Sequence, residues 1–228
     1  MKEKDLTEQT ITKLDYKVQE VRLLTPSTYV LRFNRNNLSF KAGQYIKIGI
    51  PGNRQRREYS IYSGENDNFL EILVKEVIEG DISKKLKRLR ADDNLIVEGP
   101  FGFFNLNTKD ILTRKFYFFA SGTGISPFHS YIKSYPEMSY TLVHGIKFIE
   151  ETYEQEHYEA KRYICCTSRD EKGDFSGRVT KIIPLYPFED NALFYLCGNS
   201  DMVYDVYNLL ADRGISTDNI FTEVYFWK

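Results

Sequence analysis

Up to about residue 105 the chain alternates apolar and polar positions in short bursts. YKVQEVRLLT (16–25), TYVLRFN (28–34), QYIKIGI (44–50), REYSIYS (57–63), FLEILVKEV (69–77) and NLIVEG (94–99) each alternate or run β-branched, with Gly, Pro or Asn between them. Six strands with so little helix predict a small six-stranded antiparallel β-barrel. One helix is expected to interrupt it, ISKKLKRLR (82–90), just before the last strand. After FGFFNLNTKD the rhythm changes. FYFFASG, YTLVHG, RYICCTS and ALFYLCG read as buried strands, separated by the helical stretches SPFHSYIKSY, ETYEQEHYEAK and DMVYDVYNLLADRG. Buried strands alternating with helices predict an α/β domain whose parallel sheet is covered on both faces. The expected division is 1–105 and 106–228. With no linker or repeat between the halves, a cleft between them is the default binding site.

The segment RREYSIYSG (56–64) has an unusual composition for a strand. Alternation puts Arg57, Tyr59, Ile61 and Ser63 on one face, with Arg57 and Tyr59 roughly 7 Å apart. A guanidinium and a flat ring at that separation suit a ligand with anionic and aromatic parts; an exposed strand with a chance Arg–Tyr pair explains them equally well. In FASGTGISPF, a strand runs into Gly122-Thr123-Gly124, and Pro127 fits a first helical turn. Such a turn offers amides and a positive dipole end to phosphate, although its glycines would also serve tight strand–helix packing. EGDISKKL sets Gly80, Asp81, Ile82 and Ser83 at a second helix start, where Ser83 reads as an N-cap. Ser168-Arg169 closes a strand and Arg178 follows across a glycine-bearing loop. Two arginines there suit a phosphate clamp, with Lys147 as a third cation, or are ordinary surface residues.

Composition narrows the choice. The 228 residues carry 31 Lys and Arg against 32 Asp and Glu, a net charge of −1, so bulk attraction to nucleic acid or anionic lipid is not expected. No apolar run reaches membrane-spanning length. The polar start MKEKDLTEQT lacks an apolar signal core, so a cytoplasmic location is the expectation. Cys165, Cys166 and Cys197 are too few for an all-cysteine iron–sulfur cluster. Cys165 and Cys166 should point to opposite sides of one strand. His129, His144 and His157 lie at no metal-ligand spacing, and no metal site is expected.

Taken together the motifs resemble the ferredoxin–NADP reductase family, most closely its bacterial ferredoxin/flavodoxin–NADP reductases. RREYSIYS, VKEVIEGDIS, EGPFGFF, GTGISP, SRD with GRV, YLCGNSDM and the terminal EVY occur in that family's order, almost end to end. The resemblance implies an enzyme that passes electrons between NADPH and a one-electron carrier, ferredoxin or flavodoxin, through FAD. It implies that Arg57 holds the FAD pyrophosphate, that Tyr59 lies against the isoalloxazine, and that Ser60 bonds near its reactive nitrogen. Glu58, Leu73, Val74 and Lys75 would line FAD, while Asp81, Ile82 and Ser83 contact phosphate and Thr123 approaches both cofactors. Lys147, Ser168, Arg169 and Arg178 would form the NADP pocket, with Cys197 and Gly198 beside the nicotinamide. Glu223 would belong to a proton or electron path, and Tyr225 would stack on the flavin. Ser60, Cys197 and Glu223 form the catalytic set.

The chain also departs from the family. Lys147 stands where bacterial relatives often carry arginine. Phe226-Trp227-Lys228 extend past Tyr225, and Trp227 is the candidate to cover the FAD adenine, with a simple hydrophobic plug as the alternative. Tyr62 replaces the small residue of plant-type relatives. The helix residues Lys84, Lys85, Lys87, Arg88 and Arg90 make a basic patch that would steer an acidic carrier, or are simply a solvated face. Competing readings are an oxygenase reductase component, a free-flavin reductase, and a non-catalytic FAD or nucleotide sensor. Glu58-Tyr59 stands where free-flavin reductases typically have Pro-Phe. A monomer is expected.

Overall fold

The computed structural model describes residues 16–77 and 79–226. All six N-terminal strands form: β1 (Tyr16–Thr25), β2 (Thr28–Asn34), β3 (Tyr45–Gly49), β4 (Arg57–Ser60), β5 (Phe69–Lys75) and β6 (Asn94–Phe101). They make one antiparallel sheet in the order β4-β3-β6-β1-β2-β5. Its two edges meet where Ile61, just past β4, bridges to Ile72 of β5, closing the sheet on itself. Tyr29, Leu31 and Phe33 alternate inward with Ile46, Ile48, Leu70 and Ile72 to fill the interior. Each such side chain, fully buried, stabilises the fold by about 1.5–3 kcal/mol.

Helix α1 (Asp81–Lys87) drops Ile82 and Leu86 into the same interior. Its N-cap is Gly80, not the expected Ser83. Ser83 lies inside the helix, where its Oγ accepts the Val77 backbone N–H at 3.1 Å. The Ser83 hydroxyl thus satisfies the loop before the helix, and the Gly80 cap has no side-chain hydrogen bond.

The second half is a parallel sheet in the order β10-β9-β8-β7-β11-β12, comprising β7 (Phe116–Ser121), β8 (Tyr140–Ile146), β9 (Tyr163–Thr167), β10 (Phe175–Ser176), β11 (Leu193–Asn199) and β12 (Ile220–Phe226). Helices α2 (Ser126–Ser134), α3 (Val179–Ile182) and α4 (Ser200–Asp212) cover it. Along β7, Phe116, Phe118 and Ala120 face one core, and Tyr117 and Phe119 the other. Cys165 and Cys166 divide the same way, as their adjacency on a strand requires, and all three cysteines are free thiols. The first of these cores also takes Val30, Tyr62 and Leu73 from the barrel. The two halves therefore share one apolar interior, joined by a connection (102–115) that buries Phe104 and Leu106 in it.

One further expectation needs correction. ETYEQEHYEAK is not a helix but two 3-10 turns, Ile149–Glu151 and Gln155–His157. Tyr153 and Tyr158 both anchor in the core, and Glu154 between them takes a left-handed backbone (φ +49°) that ends any regular helix. This folded-back loop brings His157 against His129 of α2, with ring centroids 5.3 Å apart, although their sequence spacing had shown no relation.

Candidate functional site

Two cavities meet at the junction of the halves. The first, about 610 Å³, is lined from β4 by Arg57, Glu58, Tyr59 and Ser60, and from β5 by Leu73 and Lys75. Ile82 and Ser83 of α1, Thr123 and Ser126 at the start of α2, and Glu223, Val224 and Tyr225 of β12 complete the wall. Tyr45, Val77 and Glu79 line it too and were missed: Tyr45 belongs to no motif, while Val77 and Glu79 stand inside VKEVIEGDIS among neighbours that were named instead. Alternation along β5 explains why Leu73 and Lys75 reach the cavity while Val74, 1% exposed, points into the barrel interior. Asp81 also falls outside the lining, and instead accepts bonds from Lys85 (2.6 Å) and Asn53 (3.3 Å). Tyr62 turns away and stacks on His129 at 3.8 Å. Trp227 lies outside the described residues.

The second cavity, about 530 Å³, opens at the carboxyl edge of the parallel sheet. Lys147, Ser168 and Arg178 line it as expected, with Gly122, Gly145, Gly177 and Asn199. Arg169 does not. It follows β9 on the exposed turn, with its backbone N–H tied to the Lys147 carbonyl. Three carboxylates were overlooked in the lining: Glu151, Asp201 and Asp205. Asp201 and Asp205 stand one turn apart on α4, and the sheet order brings Glu151, from the loop after β8, to the same cavity. β7 has β8 on one side and β11 on the other, so the cavity sits at the switch in strand order where α/β sheets bind ligands.

Close backbone approach shapes this edge. A Cβ at Gly124 would lie 2.3 Å from the Cys197 carbonyl oxygen, and one at Gly198 (φ +137°) would lie 2.3 Å from Ser121 Oγ. Gly198 thus serves packing behind the cavity rather than lining it. His144, fully buried, donates from Nε2 to the Gly122 carbonyl at 2.9 Å and accepts at Nδ1 from the Tyr163 hydroxyl. Burial pulls its pKa to about 4, so it holds this loop as a neutral ring. Sequence gave no hint of that role.

Lys75 and Thr123 line both cavities. Lys75 pairs with Glu151 across the junction at 2.7 Å. Burial opposes ionisation of Glu151, yet Lys75 and the Lys147 backbone N–H hold it below the usual carboxylate range. Beside them, residues from both halves converge. Glu223 Oε2 accepts from Ser60 Oγ at 3.2 Å and lies 3.9 Å from Cys197 Sγ, while the Tyr225 hydroxyl donates to Ser60 Oγ at 2.6 Å. The parallel register sets Cys197 directly opposite Glu223. Burial raises the Glu223 carboxyl from 4.5 to about 7, against the pull of its Ser60 and Cys197 bonds. Burial also keeps Cys197 a neutral thiol. Cys197 is wholly buried and lines neither cavity, so it stands behind Glu223 and Tyr225 rather than at a cavity surface. In the first cavity, burial pushes the Tyr59 hydroxyl up to about 12, with Arg57 acting in the opposite direction.

Residues 15–106 match the oxidoreductase FAD-binding domain family, which sets the class as a flavin-dependent oxidoreductase. The chain is 30% identical to the flavodoxin/ferredoxin–NADP reductase of Buchnera aphidicola from Baizongia pistaciae, over 76% of this chain and 80% of that protein. It belongs to the ferredoxin/flavodoxin–NADP reductase family. It is also 28% identical to the toluate 1,2-dioxygenase electron transfer component of Pseudomonas putida, over 91% of its own length but 66% of that protein. In structure it is similar to a ferredoxin NADP+ reductase from Neisseria gonorrhoeae solved with FAD and NADP, with a TM-score of 0.83, 21% identity and coverage of 93% and 98%.

Proposed function

We propose that the chain is an FAD-dependent reductase that moves electrons between NADPH and a one-electron carrier protein, ferredoxin or flavodoxin. The observation that carries this reading is that the two cavities share Lys75 and Thr123, so a group held in each would meet its neighbour there. FAD fits the first cavity, which has a guanidinium toward one part and tyrosine rings toward another. When bound, it would exchange a hydride with nicotinamide and single electrons with the carrier. Arg57 would take its pyrophosphate, Tyr59 and Tyr225 would flank its ring, and Ser60 would donate toward it. Glu223, poised near neutral pH, would hold or release a proton through Ser60. Lys147, Ser168 and Arg178 would take the nucleotide phosphates. Cys197, behind Glu223, tunes that carboxyl rather than meeting substrate. We assign the FAD half to 1–105 and the nucleotide half to 106–228, acting as a cytoplasmic monomer.

For the carrier, α1 supports docking beside the first cavity, which Ile82 and Ser83 line. Lys85 and Arg88 are its exposed cations; Lys87 turns to Glu76 at 2.9 Å and Lys85 is partly neutralised by Asp81. The similarity to the toluate dioxygenase component supports a second reading, service to an oxygenase. Steady-state NADPH oxidation with ferredoxin, flavodoxin or free FMN as acceptor tests the proposal. Efficient reduction of a carrier protein supports it. Turnover with FMN alone would move the assignment to a free-flavin reductase.

A further inference from the structure

Away from both cavities, three side chains converge where α2, the 153–158 loop and the barrel meet. His129, Glu154 and His157 each offer a ligand atom, and these atoms all lie within 4.8 Å of one another. His129 is 1% exposed, and its Nε2 has no hydrogen-bond partner among the described residues; nor does Glu154 Oε2. Buried polar atoms are almost always satisfied, so two unpaired ones in one cluster call for a bound group. In the tautomer that puts the proton on Nδ1, the His129 Nε2 and the Glu154 carboxylate are both acceptors and call for a cation or a proton donor; the Tyr62 hydroxyl, likewise buried without a partner, is the protein donor near this carboxylate.

The surroundings orient both groups as ligands. His129 Nδ1 is 2.9 Å from the Tyr158 hydroxyl; when that nitrogen carries the proton, the Nε2 lone pair is free. Its ring is clamped in a stack on Tyr62. The other oxygen of Glu154 is forked by the Arg22 Nε and Nη2 groups at 3.0 and 2.5 Å, and Arg22 is itself tied to Glu71. With Oε1 held by Arg22, Glu154 is left with Oε2 to offer to the cluster. His157 Nδ1 stands 4.0 Å from that oxygen on a side chain that is 46% exposed.

We propose that His129, Glu154 and His157 form a binding site for a divalent transition cation of the Zn2+ class, leaving a fourth position open to solvent. Two imidazoles and one carboxylate are a borderline donor set that suits such ions rather than Mg2+ or Ca2+. Tetrahedral coordination needs donor atoms about 3.4 Å apart. The rigid pair is His129 and Glu154, and the exposed His157 closes the remaining distance by a rotamer change. The cations Arg22 and Lys133 nearby moderate the affinity. A bound ion would pin the loop that also carries Glu151, the partner of Lys75 at the cavity junction.

The test is calorimetric titration of chelator-treated, FAD-loaded protein with ZnCl2, together with the metal content after dialysis. The wild type should take up one equivalent. His157→Ala, at an exposed position, should weaken binding by about 100-fold with an unchanged flavin spectrum, and His157→Cys, which restores a ligand, should recover most of it. Absence of stoichiometric uptake, or uptake that His157→Ala leaves unaltered, would overturn the proposal and leave the cluster as a water-bridged polar contact.

Discussion

Glu223→Gln removes an ionisation while keeping the shape of the side chain and its bond with Ser60. In the folded chain the carboxyl titrates near 7, whereas its ordinary value is 4.5. A raised carboxyl favours the protonated form, so folding takes up a proton wherever pH lies between these values. The stability linked to this group is therefore fully present below about pH 4.5 and is lost as pH rises through 7. At about 1.4 kcal/mol per pH unit, the gap amounts to about 3 kcal/mol. Guanidinium unfolding of wild type and variant from pH 4.5 to 8.5 reads it directly. The wild type should lose about 3 kcal/mol relative to the variant across that range. Parallel pH curves would mean that Glu223 ionises normally in the fold and would remove its proposed part in proton handling.

Other perturbations probe other links. Arg178→Ala should lower kcat/KM for NADPH by about 10- to 100-fold, the worth of a charge-assisted bond to phosphate, and leave NADH within twofold; an equal loss with both would place Arg178 outside the phosphate site. Gly124→Ala forces a methyl to within 2.3 Å of the Cys197 carbonyl oxygen and should cost about 1–3 kcal/mol, read as a lowered Tm. An unchanged Tm would show that the β7 and β11 edges separate easily. Lys85→Glu with Arg88→Glu should slow reduction of an acidic carrier at low salt, with the difference closing at high salt; NADPH-driven ferricyanide reduction should not change. Carrier kinetics equal to wild type at low salt would rule out docking on α1.

Period-two and buried-run patterns were enough to read every barrel strand and the first four long strands of the parallel sheet, because each buries a face that its residues announce. β12 was not read as a strand, since IFTEVYF was weighed only for its last motif. The 151–161 stretch misled for the opposite reason: helix-forming Glu, Gln and Ala dominate it, while Tyr153 and Tyr158 are pulled into a core that local propensity does not register. At the site, motif residues that face outward from a strand, Arg57, Tyr59 and Leu73, were legible. Val74 was misjudged because a motif names neighbours without their faces. Glu151 and His144 reach the site through sheet order, Asp201 and Asp205 through one turn of α4 at the sheet's edge, and the convergence of His129 with His157 depends on one left-handed residue.

The central claim is that flavin and nicotinamide meet at the junction of the two cavities. An anaerobic visible spectrum of the gel-filtered protein, followed as NADPH and separately NADH are added, tests it most directly. The account predicts retained flavin absorbance that bleaches rapidly with NADPH and slowly with NADH. A protein that elutes colourless, or a flavin that NADPH fails to bleach, would contradict it.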